Sequence, residues 1–203
     1  MKSKDFVVRF AGEGGQGVVT ASDMLARAAA SAGYHVLTFA TFPSQIMGGP
    51  TWTQTRVSSS EILSPGDDVD VLVALSPEAY ETHHDEVRDG GVVIFDSKFQ
   101  EPSAGRVLGI PLDELAKQAG ETRAANMVLM GALCYMVNMS QLYFEEFISR
   151  RYRGRDSIIE ANITALRLGL QFVTKSETRL GDLDDPIKPG YQQILVKGND
   201  ALA

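Results

Sequence analysis

The chain has 203 residues, 44% hydrophobic and 22% charged, enough apolar material for one domain with a core, which excludes disorder as its main state. Its 19 Lys and Arg against 26 Asp and Glu leave a net charge of −7, which argues against general binding to a phosphate backbone. No apolar run approaches the roughly 20 residues that cross a bilayer, no signal peptide is visible, and the single Cys134 excludes an intramolecular disulfide and a cluster held by this chain's own thiolates, so a reduced, cytoplasmic setting is expected.

Asp5 to Ala11 is β-branched and aromatic and reads as a buried strand. Gly12 to Gly17 is a glycine-rich loop. Val18, Ala21, Leu25, Ala28 and Ala32 then recur at helical spacing, and Gly33 ends the helix. Tyr34 to Ala40 reads as a second strand, so the opening is a Rossmann-like βαβ unit. A loop with Pro43 and Gly48-Gly49-Pro50 leads into the alternating run Thr51 to Val57, with Trp52 and Gln54 on one face and Thr53 and Thr55 on the other. Val69 to Leu75 and Val92 to Asp96 are continuous apolar runs, as expected of strands covered on both faces. Pro77 to Arg88 between them reads as a helix, and Arg106 to Ile110 as a short strand. The second half is helical: Leu112 to Gln118; Asn126 to Met139, apolar almost all round; Gln141 to Arg151; and a stripe from Ile159 to Val173. The fold expected is a three-layer α/β/α domain over residues 1–173 around a mainly parallel sheet. Residues 174–203 read as a linker or arm, and Ile194 to Ala203 within it as a strand, a turn and the first residues of a helix.

Gly12-x-Gly14-x-x-Gly17 follows a strand and opens a helix, where free N–H groups and the positive end of the helix dipole face an anion. A nicotinamide-dinucleotide site needs an acidic residue about 20 positions further on to hold the ribose; no Asp or Glu occurs between Asp23 and Glu61. The lysine and hydroxyl of a triphosphatase loop are also missing, since Val18 and Val19 follow Gly17. A loop for a diphosphate remains, with a tight strand–helix turn that holds no ligand as the alternative.

Three motifs in order carry a resemblance: Phe10-Ala11-Gly12-Glu13-Gly14-Gly15-Gln16-Gly17-Val18, Thr41-Phe42-Pro43-Ser44-Gln45-Ile46-Met47-Gly48-Gly49-Pro50, and Asn126-Met127-Val128-Leu129-Met130-Gly131-Ala132-Leu133. Together they resemble the γ subunit, or γ domain, of the 2-oxoacid:ferredoxin oxidoreductases. The resemblance implies a part in the CoA-dependent oxidative decarboxylation of a 2-oxoacid, such as pyruvate or 2-oxoglutarate, to an acyl-CoA, carbon dioxide and reduced ferredoxin. It implies thiamine diphosphate and iron–sulfur clusters on partner α and β domains or subunits, with ferredoxin accepting the electrons. This domain's share would be coenzyme A binding and closure of the active site, with no catalytic residue of its own. Carried over motif by motif, the cofactor-binding residues are Gly12, Gly14, Gly15, Gln16, Gly17, Gly48, Gly49, Pro50, Thr51 and Asn126. Two positions depart from the pattern: Glu13 places a negative charge in the loop, and Met47 stands where many relatives carry arginine. Gly198 to Ala203 is similar to the opening of the family's α domain, so the chain is expected to be the N-terminal part of a fused γ–α subunit. The competing reading is a free-standing module that binds CoA or a nucleotide without catalysis of its own.

Other polar residues have plainer readings. Asn126 is expected to cap its helix, His83 and His84 to be surface imidazoles that do not converge on a metal, and Cys134 to be a buried small hydrophobe. Arg150, Arg151, Arg153 and Arg155 complement a helix C-terminus or meet an acidic partner or the 3′-phosphate of CoA.

Overall fold

The computed structural model describes residues 2–41, 49–102, 105–186 and 194–196. A two-residue strand, Lys2–Ser3 (β1), precedes the long strand Asp5–Glu13 (β2). The glycine loop leads into Val18–Ser31 (α1), then His35–Thr41 (β3), Pro50–Ser58 (β4) and Val69–Ala74 (β5). Pro77–His83 (α2) is a short helix. One 3-10 turn, His84–Glu86, leads straight into Val87–Asp96 (β6), so the helix expected as far as Arg88 gives way to strand earlier. Val107–Ile110 (β7), Leu112–Gln118 (α3), Ala125–Met136 (α4), Leu142–Arg151 (α5), Asp156–Ser176 (α6) and Asp182–Leu183 (β8) complete the chain.

Six strands form one sheet in the order β3-β4-β2-β5-β6-β7. Five point the same way and β4 alone runs against its neighbours, so the mainly parallel α/β sheet is as expected. The opening βαβ unit is not a pair of neighbours. β4 lies between β2 and β3, paired with β2 along its whole length and with β3 from Trp52 to Ser58. Trp52 therefore sits level with Ala11 on one side and Thr41 on the other. Local periodicity shows a strand but not the strand beside it, and this pairing could not be read from the sequence.

The two faces of the sheet are covered unequally. Phe6, Val8, Phe10, Val71, Val73, Val92 and Ile94 pack into one large core with α1 and the helices of the second half. On the other face Ala11, Leu72, Ala74 and Val93 meet only Ala79 and Tyr80 of α2 and part-buried Trp52, Val87 and Val107. α4 lies at the centre of the thick layer: Met130 is fully buried and Cys134 2% exposed, and burial pushes the Cys134 thiol well above its ordinary pKa. α4 crosses α6 where Gly131 meets the backbone at Leu166 and Gly169 meets the backbone at Val128. The first residues of the expected arm, from Thr174, belong to the domain. α6 runs to Ser176, Leu180 donates its N–H to the Met136 carbonyl, and Leu183 is buried where β8 pairs with β1.

The thin face holds a buried cation. Arg9, 4% exposed, donates to Gln54 Oε1 at 3.1 and 2.8 Å and to His83 Nδ1 at 3.2 Å. It pairs with Glu86 at 2.5 Å and lies 4.5 Å from the Trp52 ring centroid. His83, expected at the surface, is thus buried and edge-on to Trp52, because α2, the only helix over this half of the sheet among the described residues, turns that face inward. Hydrogen bonds from Arg9 hold the Glu86 carboxyl below its usual range. Arg9→Met should cost about 2–3 kcal/mol in urea unfolding at pH 7, below the cost of breaking a fully buried pair because Glu86 is half exposed. A lowered carboxyl pKa gives stability that is complete above the ordinary value and lost as pH falls through the folded one. The gap between wild type and variant should therefore narrow below about pH 4. A gap that stays constant into acid would assign the loss to packing.

Candidate functional site

β2 and β5 are adjacent and parallel, but the chain leaves them in opposite directions. From β2 it turns through the glycine loop into α1, within the thick layer; from β5 it turns at Ser76 into α2, on the other face. A crevice opens outside the carboxyl ends of two strands at such a divergence, and this is where open α/β sheets receive ligands. The glycine loop lies at this point.

Each glycine there has its own reason. A Cβ on Gly12 would stand 2.4 Å from Gln16 Oε1, 3.1 Å from Leu75 Cβ and 3.2 Å from Val18 Cγ2, so a side chain here would displace the Gln16 amide from the turn and crowd Leu75 and Val18. Gln16 folds back, and its Oε1 accepts the Glu13 N–H at 2.7 Å while its own N–H donates to the Glu13 carbonyl at 3.1 Å. Gly14 donates its N–H to the Gly49 carbonyl at 3.2 Å. That bond ties the second motif to the first, as does the register Gly12↔Thr51 and Glu13↔Pro50; the Thr51 hydroxyl donates to the same Gly49 carbonyl at 3.3 Å. Gly17 is left-handed, φ 83°, and the place of its Cβ is taken by the Asn126 amide, 2.7 Å away. Gly15 is left-handed too, φ 99°, but among the described residues nothing lies within 4 Å of where its Cβ would be.

Asn126 does not cap α4, whose N-cap is Ala124 and carries no side-chain cap bond. Its Nδ2 instead donates across the fold to the Gly17 carbonyl at 3.2 Å. The structure thus gathers Gly12, Gly14, Gly15, Gln16, Gly17, Gly49, Pro50, Thr51 and Asn126 around one loop; Gly48, like Met47, lies outside the described residues. Among the described residues, the N–H groups of Gly15, Gly17, Val18 and Val19 have no hydrogen-bond partner. They are the loop's available donors, and the glycine motif alone could not separate them from the spent N–H of Gly14. Glu13 through Gln16 are solvent-exposed. The surface is therefore open, and the Glu13 carboxylate is free to stay in water. Val18 and Val19 carry no functional side chain, and only their place in the first turn of α1 marks them.

The profile of the pyruvate ferredoxin/flavodoxin oxidoreductase family matches residues 7–172. The chain belongs to that family. It is 33% identical over 174 residues to the ketoisovalerate oxidoreductase subunit VorA of Methanothermobacter thermautotrophicus, covering 83% of this chain and 36% of that one. It is also 33% identical to a 2-oxoglutarate:ferredoxin oxidoreductase from Magnetococcus marinus solved with 2-oxoglutarate, coenzyme A and succinyl-CoA bound, with a TM-score of 0.81 over 92% of this chain and 34% of that one. The keto/oxoacid ferredoxin oxidoreductase γ subunit of Geobacter sulfurreducens shares the fold, with a TM-score of 0.73 at 23% identity over 85% of this chain and 98% of that one. The chain thus spans about a third of VorA and of the Magnetococcus protein, and nearly the whole length of the Geobacter γ subunit. The family membership agrees with the resemblance carried by the three motifs.

Proposed function

We propose that this chain acts as the γ domain of a CoA-dependent 2-oxoacid:ferredoxin oxidoreductase, receiving the diphosphate of coenzyme A on the N–H groups of Gly15, Gly17, Val18 and Val19. The observation that carries this reading is the open cradle at Gly15, with unspent donors at the start of α1 and at the divergence of β2 and β5. Coenzyme A in the Magnetococcus relative supports the choice of ligand. Thiamine diphosphate, on partner α and β domains, supplies the carbanion chemistry at the 2-oxoacid. Clusters on partner domains or subunits pass the electrons to ferredoxin, because the one cysteine here is buried on α4. The domain's own work is to hold the coenzyme and help close the site over the reacting carbon.

The test belongs in the assembled enzyme, since a helix N-terminus contributes only about 0.3–1 kcal/mol per favourable charge at an exposed site. Gly15→Val fills space that no atom of the described residues occupies and forces a β-branched residue into a left-handed backbone. It should raise the CoA concentration needed for half-maximal rate about tenfold, while CoA-independent decarboxylation at the thiamine stays within about twofold. Equal loss of both would mean that the loop only holds the fold. Loss of neither would place CoA elsewhere.

The chain by itself should neither oxidise a 2-oxoacid with ferredoxin or a dye acceptor nor show the visible absorption of iron–sulfur centres when purified. Turnover without partner subunits would overturn the proposed division of labour.

A further inference from the structure

β3 ends one side of the main sheet, and among the described residues no strand lies beyond it. The outer edge of such a strand is a row of unpaired N–H and C=O groups, a template for one more strand. Beside the start of this edge a groove runs between the end of α1 and α5. Tyr34, His35, Val36 and Phe147 line it, together with Ile194 and Leu195 from the far end of this same chain.

Contacts upstream hold the chain beside that groove as far as Pro186. Leu183 pairs with Ser3 in β1, and Asp184 donates its N–H to the Ser3 carbonyl at 2.9 Å. Pro186 lies against the turn after α1, its Cγ 3.6 Å from where a Gly33 Cβ would stand. Ile194-Leu195-Val196 suits a strand, with two β-branched residues and one large aliphatic. The three are 76%, 37% and 47% exposed, so Leu195 is the most sheltered. Three consecutive aliphatic side chains at an open sheet edge are a pairing segment without a pair.

We propose that Ile194–Val196 docks as an extended strand on the outer edge of β3 at His35–Val36, with Leu195 seated against Phe147. The occupant is this chain's own segment, because its side chains already line the groove and Pro186 lines it too. Docking closes the sheet edge and fixes where the polypeptide beyond Val196 departs from the domain. The inference is independent of the coenzyme reading, since no residue of the glycine loop takes part in it.

The test is residue-resolved amide hydrogen exchange on the full chain. In an antiparallel pair, every second amide of β3 points away from β4. The outward amides among residues 35–38 should be protected in the wild type. Their protection should fall about tenfold or more in the double variant Ile194→Asp/Leu195→Asp, while amides facing β4 and those of α4 stay unchanged. A chain ending at Pro186 makes the same comparison without added charge and should expose the same outward amides. Outward amides that exchange at the same rate with and without the segment would overturn the proposal. Light scattering that shows a dimer, with edge protection fading on dilution, would overturn it too, by assigning the strand to a second copy.

Discussion

Gly131→Ala is expected to destabilise the protein by about 3 kcal/mol or more, at the upper end for overpacked cores. In an exposed helix the same change would stabilise by about 1 kcal/mol, because alanine restricts the unfolded chain and favours the helix. The sign reverses here because the new Cβ would stand 1.9 Å from the Leu166 carbonyl oxygen and 2.8 Å from the Leu170 nitrogen. Both are backbone atoms, so no rotamer change relieves the clash and the two helices must separate. Gly169→Ala meets the same crossing from the other side, 2.0 Å from the Val128 carbonyl oxygen. The single variants should each lower the urea midpoint, and the double variant should lose less than the sum, since one displacement relieves both contacts. Either single variant melting at or above the wild type would refute this account of the α4–α6 contact.

The second large effect lies at the loop. Gly17→Ala should cost about 2–3 kcal/mol, combining the strain of a left-handed alanine with a contact that has to give. The contact is the Asn126 amide, whose Nδ2 would be 2.7 Å from the new Cβ. Asn126→Ala should be mild by itself, because the Gly17 carbonyl keeps the Ala21 N–H at 2.8 Å. Combining the two separates the terms: with the amide gone, Gly17→Ala should cost only its backbone strain, leaving a coupling of about 1 kcal/mol. Simple additivity in chemical unfolding would mean that Asn126 does not set the shape of the loop.

Much of the domain was legible because side-chain period and burial are local signals. The run Val69 to Leu75 could only be a strand covered on both faces. The all-round apolar stretch from Met127 could only be a central helix, and the glycines before Val18 marked a strand turning into a helix. The order of strands was not legible, because no local pattern says that β4 slips between β2 and β3. The inward turn of His83 was hidden too, since it depends on Arg9, far away in the chain, needing partners on a face with one short helix. At the site, the residue types and their neighbourhood were readable from three motifs. The division of tasks was not, because it depends on which N–H groups are already spent. Gly14 gives its N–H to Gly49, Gly17 makes room for Asn126, and only Gly15 is left open. The glycines at 131 and 169 passed as ordinary helix residues, because their significance appears only when the two helices are side by side.

The place of β2 in the sheet also sets a timetable for folding. Val8 is paired on one side with Thr55 and on the other with Val71. β2 therefore finds no neighbour until β4 and β5 have been synthesised. Until then its apolar residues have only α1 to cover them. α4 must wait longer still for the glycine of α6 that fits against it. Pairings so distant in sequence close large loops before any contact compensates, which slows folding relative to a chain whose neighbours in space are neighbours in sequence. The newly made stretch from β2 to β4 is thus exposed to misassociation until β5 follows, and a chaperone that shields apolar strands would act on it.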